Sequence, residues 1–330
     1  MKETDIRPEA LLNRYLELSA QDADRCFNGV LKDDFPCVAC GNDRSEFQFN
    51  KNGFDYSLCL YCSTLYLSPR PKIESFESFY RNSKSSQYWA DVFFPAVAEA
   101  RREQIFRPRV ERLSHLCRTR GILVEKIIDV GAGYGIFLDE WRKLNPLLKS
   151  IAIEPSVTLA TECRNKGFEV NENIVENVTG YDNFADLVVC FEVLEHVYDP
   201  LHFVQTLSKL TKPGGYVFLS TLCVDGFDIQ VLWEKSKSIF PPHHINFLSV
   251  KGFYELFKRA GLVDVDVSTP GQLDVDIVRN MTMNNSHLLR NDRFLQHLIE
   301  DENLSISFQK FLADNRLSSH AWIIGRKPLH

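Results

Sequence analysis

Residues 127–140, IIDVGAGYGIFLDE, place three glycines at alternate positions just after an aspartate and a short apolar run. No other stretch narrows the fold as much. A glycine turn between a strand and a helix lets backbone N–H groups approach a ligand closely, with the positive end of the helix behind them. The pattern is D-x-G-x-G-x-G, from Asp129 through Gly131, Gly133 and Gly135. It differs from the G-x-G-x-x-G spacing that seats a dinucleotide pyrophosphate. The turn points to a nucleotide-like ligand in an α/β fold, and a glycine turn that binds nothing is the alternative.

The surrounding text supports that fold. From Glu125 the chain alternates apolar runs with amphipathic ones. Strands are expected at 126–130, 150–154, 168–171, 186–191 and 216–221, with helices at about 135–144, 156–166 and 199–210. Such alternation implies a mostly parallel sheet covered by helices on both faces. SVKGFYELFKRAGL then reads as a helix capped by Ser249, burying Phe253, Leu256, Phe257 and Ala260 and stopped by Gly261. VDVDVSTPG and AWIIGRK read as two further strands, with a helical insertion at about 284–315. The expected organisation is a helical segment over 1–35, a small cysteine module over 36–71, a helical linker or lid over 72–120 and a Rossmann-like domain over 121–330. A helix at 9–19 belongs to the first segment.

The nine cysteines are not alike. Cys37, Cys40, Cys59 and Cys62 form C-x2-C-x18-C-x2-C, within the spacing of a structural four-thiolate zinc site. Such a site folds a ribbon that has too little core to fold alone. Two disulfides or four free thiols are the alternatives, and a reducing compartment disfavours the disulfides. Cys26, Cys117, Cys163, Cys190 and Cys223 are scattered, several of them within apolar stretches, as small core residues are.

A net charge of −6 argues against a nucleic-acid surface, and no apolar run reaches the ~18 residues that cross a bilayer. The first residues contain no signal-peptide core, so the expected location is cytoplasmic. The expected partner is a small molecule, with no nucleic acid and no membrane span; the oligomeric state is not legible.

Beyond the turn, Glu154 ends the second strand in SIAIEP, where a carboxylate accepts hydrogen bonds from ribose hydroxyls. The fourth strand runs DLVVCFEVLEHV, and LTKPGG precedes the fifth. On these motifs residues 125–270 resemble the class I S-adenosylmethionine-dependent methyltransferases. The resemblance implies a seven-stranded sheet whose last strand, for which AWIIGRK is the candidate, is antiparallel. It also implies that Asp129, Gly131 and Gly133 line the amino-acid half of the cofactor. Asn173 falls where that family places a side chain near the adenine, though an acid is commoner there. Phe191 and Glu192 would border the methionine moiety; solvated acids at a helix start are the alternative for Glu192 and Glu195. The four-cysteine ribbon, the aromatic QYW and the segment PPHHINFLSVKGFYELFKRAGL make the chain similar to bacterial methyltransferases of nucleotide-linked sugars and surface polysaccharides.

Methyl transfer to a hydroxyl, or to a carbon beside a carbonyl, needs a base, and histidine suits neutral pH. PPHHINF follows the fifth strand, on the carboxyl edge where open α/β sheets bind ligands. His243 and His244 are the candidates, with His244 favoured; histidines that only bond backbone are the alternative. Tyr88 and Trp89 either cover a ligand or pack helices together. The run Arg101, Arg102, Arg107, Arg109, Arg112 is either a solvated face or a phosphate grip. The reading is therefore a methyltransferase for a phosphorylated or nucleotide-linked sugar, as in polysaccharide biosynthesis. The alternatives are a methyltransferase for another small metabolite and a zinc-ribbon binding protein with a non-catalytic cofactor domain.

Overall fold

The computed structural model of the protein describes residues 1–285, 288, 289 and 292–329. Residues 286, 287, 290 and 291, within the expected insertion at 284–315, lie outside the described residues. The chain packs as two compact units, each built from separated stretches. One comprises Met1–Trp89, Thr221–Phe253 and Val267–Trp322, and the other Ala90–Ser220, Tyr254–Asp266 and Ile323–His330.

The seven-stranded sheet comprises β1 (Lys126–Val130), β2 (Lys149–Ile153), β3 (Glu169–Asn171), β4 (Ala185–Phe191), β5 (Thr211–Leu222), β6 (Val263–Ser268) and β7 (His320–Arg326). Their order is β6-β7-β5-β4-β1-β2-β3, and the pairs from β5 through β3 are parallel. β7 runs against β5: Gly214 N–H donates to the Lys327 carbonyl at 3.0 Å and Cys223 N–H to that of Ser319 at 2.7 Å. Partner numbers fall as those of β5 rise, as the resemblance implies. Every residue of β4 is buried, as in a parallel sheet covered on both faces. Helices Ile136–Leu144, Val157–Asn165 and Pro200–Leu210 connect the strands. The last is started by Asp199, whose carboxylate accepts from His202 N–H, and buries Phe203, Val204, Leu207 and Leu210. Residues 212–215 bulge out of β5 between its pairings at Thr211 and Tyr216.

Residues 73–82 and 84–119 are helical, broken at the extended Ser83, with π-turns at Trp89–Phe93 and Arg102–Phe106. Each wide turn shifts the 3.6-residue period, which is why SSQYWADVFF shows no clear pattern. The first long helix, Glu9–Phe27, outlasts its expected end at residue 19. Ser19 and Asp22 stand on its buried face and break the apolar repeat there.

The cysteine module is a four-stranded sheet, Ser45–Lys51, Phe54–Cys59, Leu65–Leu67 and Asn246–Phe247. Its edge strand comes from the PPHHINF segment, with Asn246 opposite Tyr66 and Phe247 opposite Leu65. Helices Asp274–Asn284, Arg293–Glu300 and Glu302–Asp314 pack around Val278, Met281, Ile299 and Leu312. Among the described residues no helix is long and apolar enough to cross a membrane.

Candidate functional site

The glycine turn hangs from β2. Ile153 C=O accepts from Gly131 N–H at 2.8 Å and Ala132 N–H at 3.2 Å. Gly131 takes φ +73, and a Cβ there would stand 2.6 Å from Val193 Cγ2, so only glycine fits. Glu154, just past β2, accepts from Gly133 N–H at 2.8 Å and Ser156 N–H at 3.0 Å. Burial raises its pKa and those two bonds oppose the rise. Each oxygen keeps a further lone pair for a ribose hydroxyl.

Asp129, on β1, is buried, and its Oδ1 has no hydrogen-bond partner among the described residues. Burial pushes its carboxyl up to about 8, with Arg109 drawing it down and Glu154 pushing it further up. Arg109 comes from helix Arg107–Thr119 and is itself buried. Its Nη2 donates to Glu192 Oε1 at 3.2 Å, and its guanidinium lies 4.5 Å over the Phe191 ring. Burial lowers its pKa, while Glu192 and Asp129 hold it up.

Phe191 closes β4, with its ring 4.5 Å from Phe137 and 5.9 Å from Phe218. Glu192 follows in a left-handed conformation, φ +55. Its N–H donates to Ser220 C=O at 2.8 Å, and its Oε1 accepts from Ser220 Oγ at 2.6 Å. It is thus a fixed partner of a buried cation rather than a solvated acid, and strain of this kind gathers at functional edges. Glu195 is buried in the short turn Leu194–His196. Asn173 is exposed and donates to Asn171 Oδ1 at 3.0 Å. Asp129, Glu154, the turn, Phe191 and Glu192 thus lie on the carboxyl edge of β1, β2 and β4, with Asn173 two residues past β3.

The arginine run resolves mostly into neither alternative. Arg102 pairs with Asp139 at 2.9 Å and with Glu140, Arg107 pairs with Glu103 and with Glu140 at 3.2 Å, and Arg112 is exposed. Arg109 alone of the five is buried, sharing the helix face of Leu113 and Cys117 at steps of four, which sets it apart from the rest of the run.

In the other unit, the Sγ atoms of Cys37, Cys40, Cys59 and Cys62 all lie within 4.8 Å of one another. The pairs Cys37–Cys62 and Cys40–Cys59 stand at 3.5 Å, and all nine cysteines are free thiols. Four sulfurs at ~2.3 Å from one ion sit ~3.8 Å apart, so this spacing fits tetrahedral zinc and not disulfides.

The histidine loop is bound on two sides. From the ribbon, Tyr56 OH donates to His244 C=O at 2.5 Å and Leu67 N–H to Ile245 C=O at 2.9 Å. Arg70 Nη2 donates to Asn246 Oδ1 at 2.8 Å. Ser249, the expected cap, accepts from Gly252 N–H at 2.8 Å and donates to Cys62 C=O. From helix Glu9–Phe27, Ser19 Oγ donates to Pro241 C=O at 3.3 Å, and the Tyr15 ring packs 5.4 Å from both Phe240 and His243. Trp89 packs 5.2 Å from Tyr15, the helix-packing alternative for that residue.

The two histidines differ in kind. His243 is buried, 4.8 Å from the Phe79 ring, with Nε2 at 2.8 Å from Ser85 Oγ. His244 is half-buried, its ring 3.9 Å from Phe240 and its Nδ1 at 2.7 Å from Ser238 C=O. A carbonyl only accepts, so Nδ1 of His244 carries hydrogen.

A family model described as a methyltransferase domain matches residues 97–267, just over half of the chain. The ubiquinone biosynthesis O-methyltransferase of Albidiferax ferrireducens is 35% identical over 125 residues, 36% of this chain and 48% of that protein. The protein of the same name from Cronobacter sakazakii is 34% identical over 117 residues, 34% of this chain and 48% of its own. The chain spans about half the length of the curated relatives it matches. Among solved structures, the plantazolicin methyltransferase BpumL in complex with SAH aligns with a TM-score of 0.50 at 13% identity, covering 76% of this chain and 93% of that one. At that identity the likeness concerns the fold.

Proposed function

The chain belongs to the methyltransferase-domain family, and from that membership we propose that it moves a methyl group from S-adenosylmethionine to an oxygen or carbon of a small polar acceptor. The acceptor class is a sugar nucleotide or surface-glycan precursor, His244 is the general base, and the four cysteines hold a structural zinc. The observation that carries the cofactor reading is the buried Asp129 carboxyl, whose Oδ1 lacks a hydrogen-bond partner among the described residues, on the same edge as the buried Arg109 guanidinium. A buried carboxyl that an incoming ammonium would ionise and a buried guanidinium together suit a zwitterionic amino acid: Asp129 for its ammonium, Arg109 for its carboxylate. Glu154 holds the ribose hydroxyls, Gly131 and Gly133 let the chain approach closely, Asn173 borders the adenine, and Phe191 and Glu192 flank the methionine part. When bound, S-adenosylmethionine supplies an electrophilic methyl on a sulfonium sulfur.

The protein's own task is then to orient the acceptor, keep water out and take a proton. His244 accepts that proton at Nε2, and the Nδ1–H bond to Ser238 strengthens as the ring becomes cationic. The sugar reading rests on the ribbon joined to this domain. A second reading, oxygen methylation of another small metabolite, is favoured by the curated relatives' name, ubiquinone biosynthesis O-methyltransferase.

Calorimetry with S-adenosylmethionine on zinc-loaded protein tests the first step. Absence of binding there sinks the enzyme reading in favour of a ribbon binding protein with a non-catalytic cofactor domain. A mass-spectrometric screen with methyl-deuterated cofactor tests the second step, using sugar nucleotides in one arm and phenolic acceptors in the other. Label in phenols alone overturns the sugar reading, and full turnover by His244→Ala overturns the base.

A further inference from the structure

We propose that Asp22 and Ser85 are positioning residues that act through His243 to hold His244 in its base-competent form; this rests on the reading of His244 as the base. Hydrogen-bond polarity fixes the direction of the chain. Asp22 Oδ2 accepts from Ser85 Oγ at 2.7 Å and Ser85 N–H at 2.8 Å, and Oδ1 accepts from Arg25 Nη2 at 2.6 Å. Burial alone would raise the Asp22 pKa, but these donors outweigh it and hold the carboxyl below its ordinary value. Asp22 is therefore an anion and only accepts. Ser83 Oγ also stands 2.9 Å from Ser85 Oγ and 3.2 Å from Asp22 Oδ2. The shorter Ser85–Asp22 distance assigns the Ser85 hydrogen to the carboxylate, and Ser85 Oγ then accepts from Nε2–H of His243.

The order is His243 Nε2–H, Ser85 hydroxyl, Asp22 carboxylate, all of it buried. His243 and His244, adjacent in sequence, thus carry hydrogen on opposite ring nitrogens. The Nε2 of His243 is committed as a donor and cannot take a proton, which separates the two histidines. Its ring is clamped among Tyr15, Phe79 and Phe240. With that side chain fixed, the backbone at 243 cannot turn, and the next peptide presents His244 to Tyr56 OH and the Ser238 carbonyl. An apolar side chain at 243 would fill the space but would leave the Ser85–Asp22 end unmatched.

The test is long-range proton–nitrogen NMR on the full-length, zinc-loaded chain labelled at histidine, which needs no acceptor. The wild type is expected to show His243 protonated at Nε2 and His244 at Nδ1. In Ser85→Ala the His243 preference is lost, and the ratio of Nδ1–H to Nε2–H forms at His244 falls about tenfold, the worth of one hydrogen bond. Cofactor affinity by calorimetry stays within about twofold, since the fault is local. Ser85→Thr keeps the hydroxyl and restores both signals. The proposal is overturned if His244 is unchanged in Ser85→Ala, or if Ser85→Thr is as impaired as Ser85→Ala. A wild-type His244 protonated at Nε2 instead sinks the base reading, while the response of His243 to Ser85→Ala still reports on the chain itself.

Discussion

The glycine turn and the histidine loop are both backbone segments with a proposed chemical role, yet they are held in opposite ways. The turn is secured by the next strand along: Gly133 reaches Glu154 across 21 residues, and Gly131 reaches Ile153. The histidine loop is secured by residues far away in sequence, with Ser85 to His243 spanning 158, Arg70 to Asn246 spanning 176 and Tyr56 to His244 spanning 188. A segment supported by its neighbours survives as a readable motif. One supported from a distance looks like an irregular loop until its supports are seen.

The largest test of that contrast is the ribbon. Metal analysis is expected to give near one zinc per chain, and Cys59→Ser should lose it. Since structural zinc contributes on the order of 10 kcal/mol to small ribbons, the loop's edge strand at Asn246–Phe247 should then become protease-sensitive. S-adenosylmethionine affinity should persist, and its loss would show that the glycine turn is not self-supporting.

Next comes Asp129→Asn. Removing a buried charge partner should weaken cofactor binding by ~100-fold, about 3 kcal/mol. Stability should move the other way. The folded carboxyl titrates at about 8 against an ordinary 3.8, so its contribution is complete below the ordinary value and is lost as pH rises through about 8. Thermal melts of ligand-free wild type should fall between pH 5 and 9 more steeply than those of Asp129→Asn. Parallel curves would contradict the assignment.

Gly131→Ala should cost about 1–3 kcal/mol in denaturant midpoints, since it meets both a left-handed backbone and Val193. Gly133→Ala, at φ +56 with nothing within 4 Å of the added Cβ, should cost about 1 kcal/mol. Equal costs would remove Val193 from the account. The smallest effect belongs to Asn173→Ala. An exposed amide already bonded to Asn171 should change calorimetric affinity by no more than a few-fold.

Within the sheet, the expected strands and helices agree with the observed ones to within a residue or two except at β5 and at the end of β6, because apolar period and turn residues are local quantities. The misses share one cause. Glu9–Phe27 was cut short because Asp22 occupies a core position for the sake of Ser85, and SSQYWADVFF lost its period to a π-turn. The solvated-acid alternative for Glu192 stays open in the sequence because nothing nearby announces Arg109, 83 residues earlier.

By itself the sequence determined the order of strands and helices, the glycine turn with its acid at Glu154, and the four-cysteine spacing. Each depends on residues a few positions to one βα unit apart, where chain geometry leaves little choice. Only the tertiary structure decided that PPHHINF joins the ribbon's sheet, that Arg109 rather than its neighbours is buried beside Asp129, and that His243 meets the Ser85 hydroxyl while His244 meets the Ser238 carbonyl. Those outcomes depend on which distant groups meet, and a hydrogen bond's direction is set by its partner rather than by the residue that makes it.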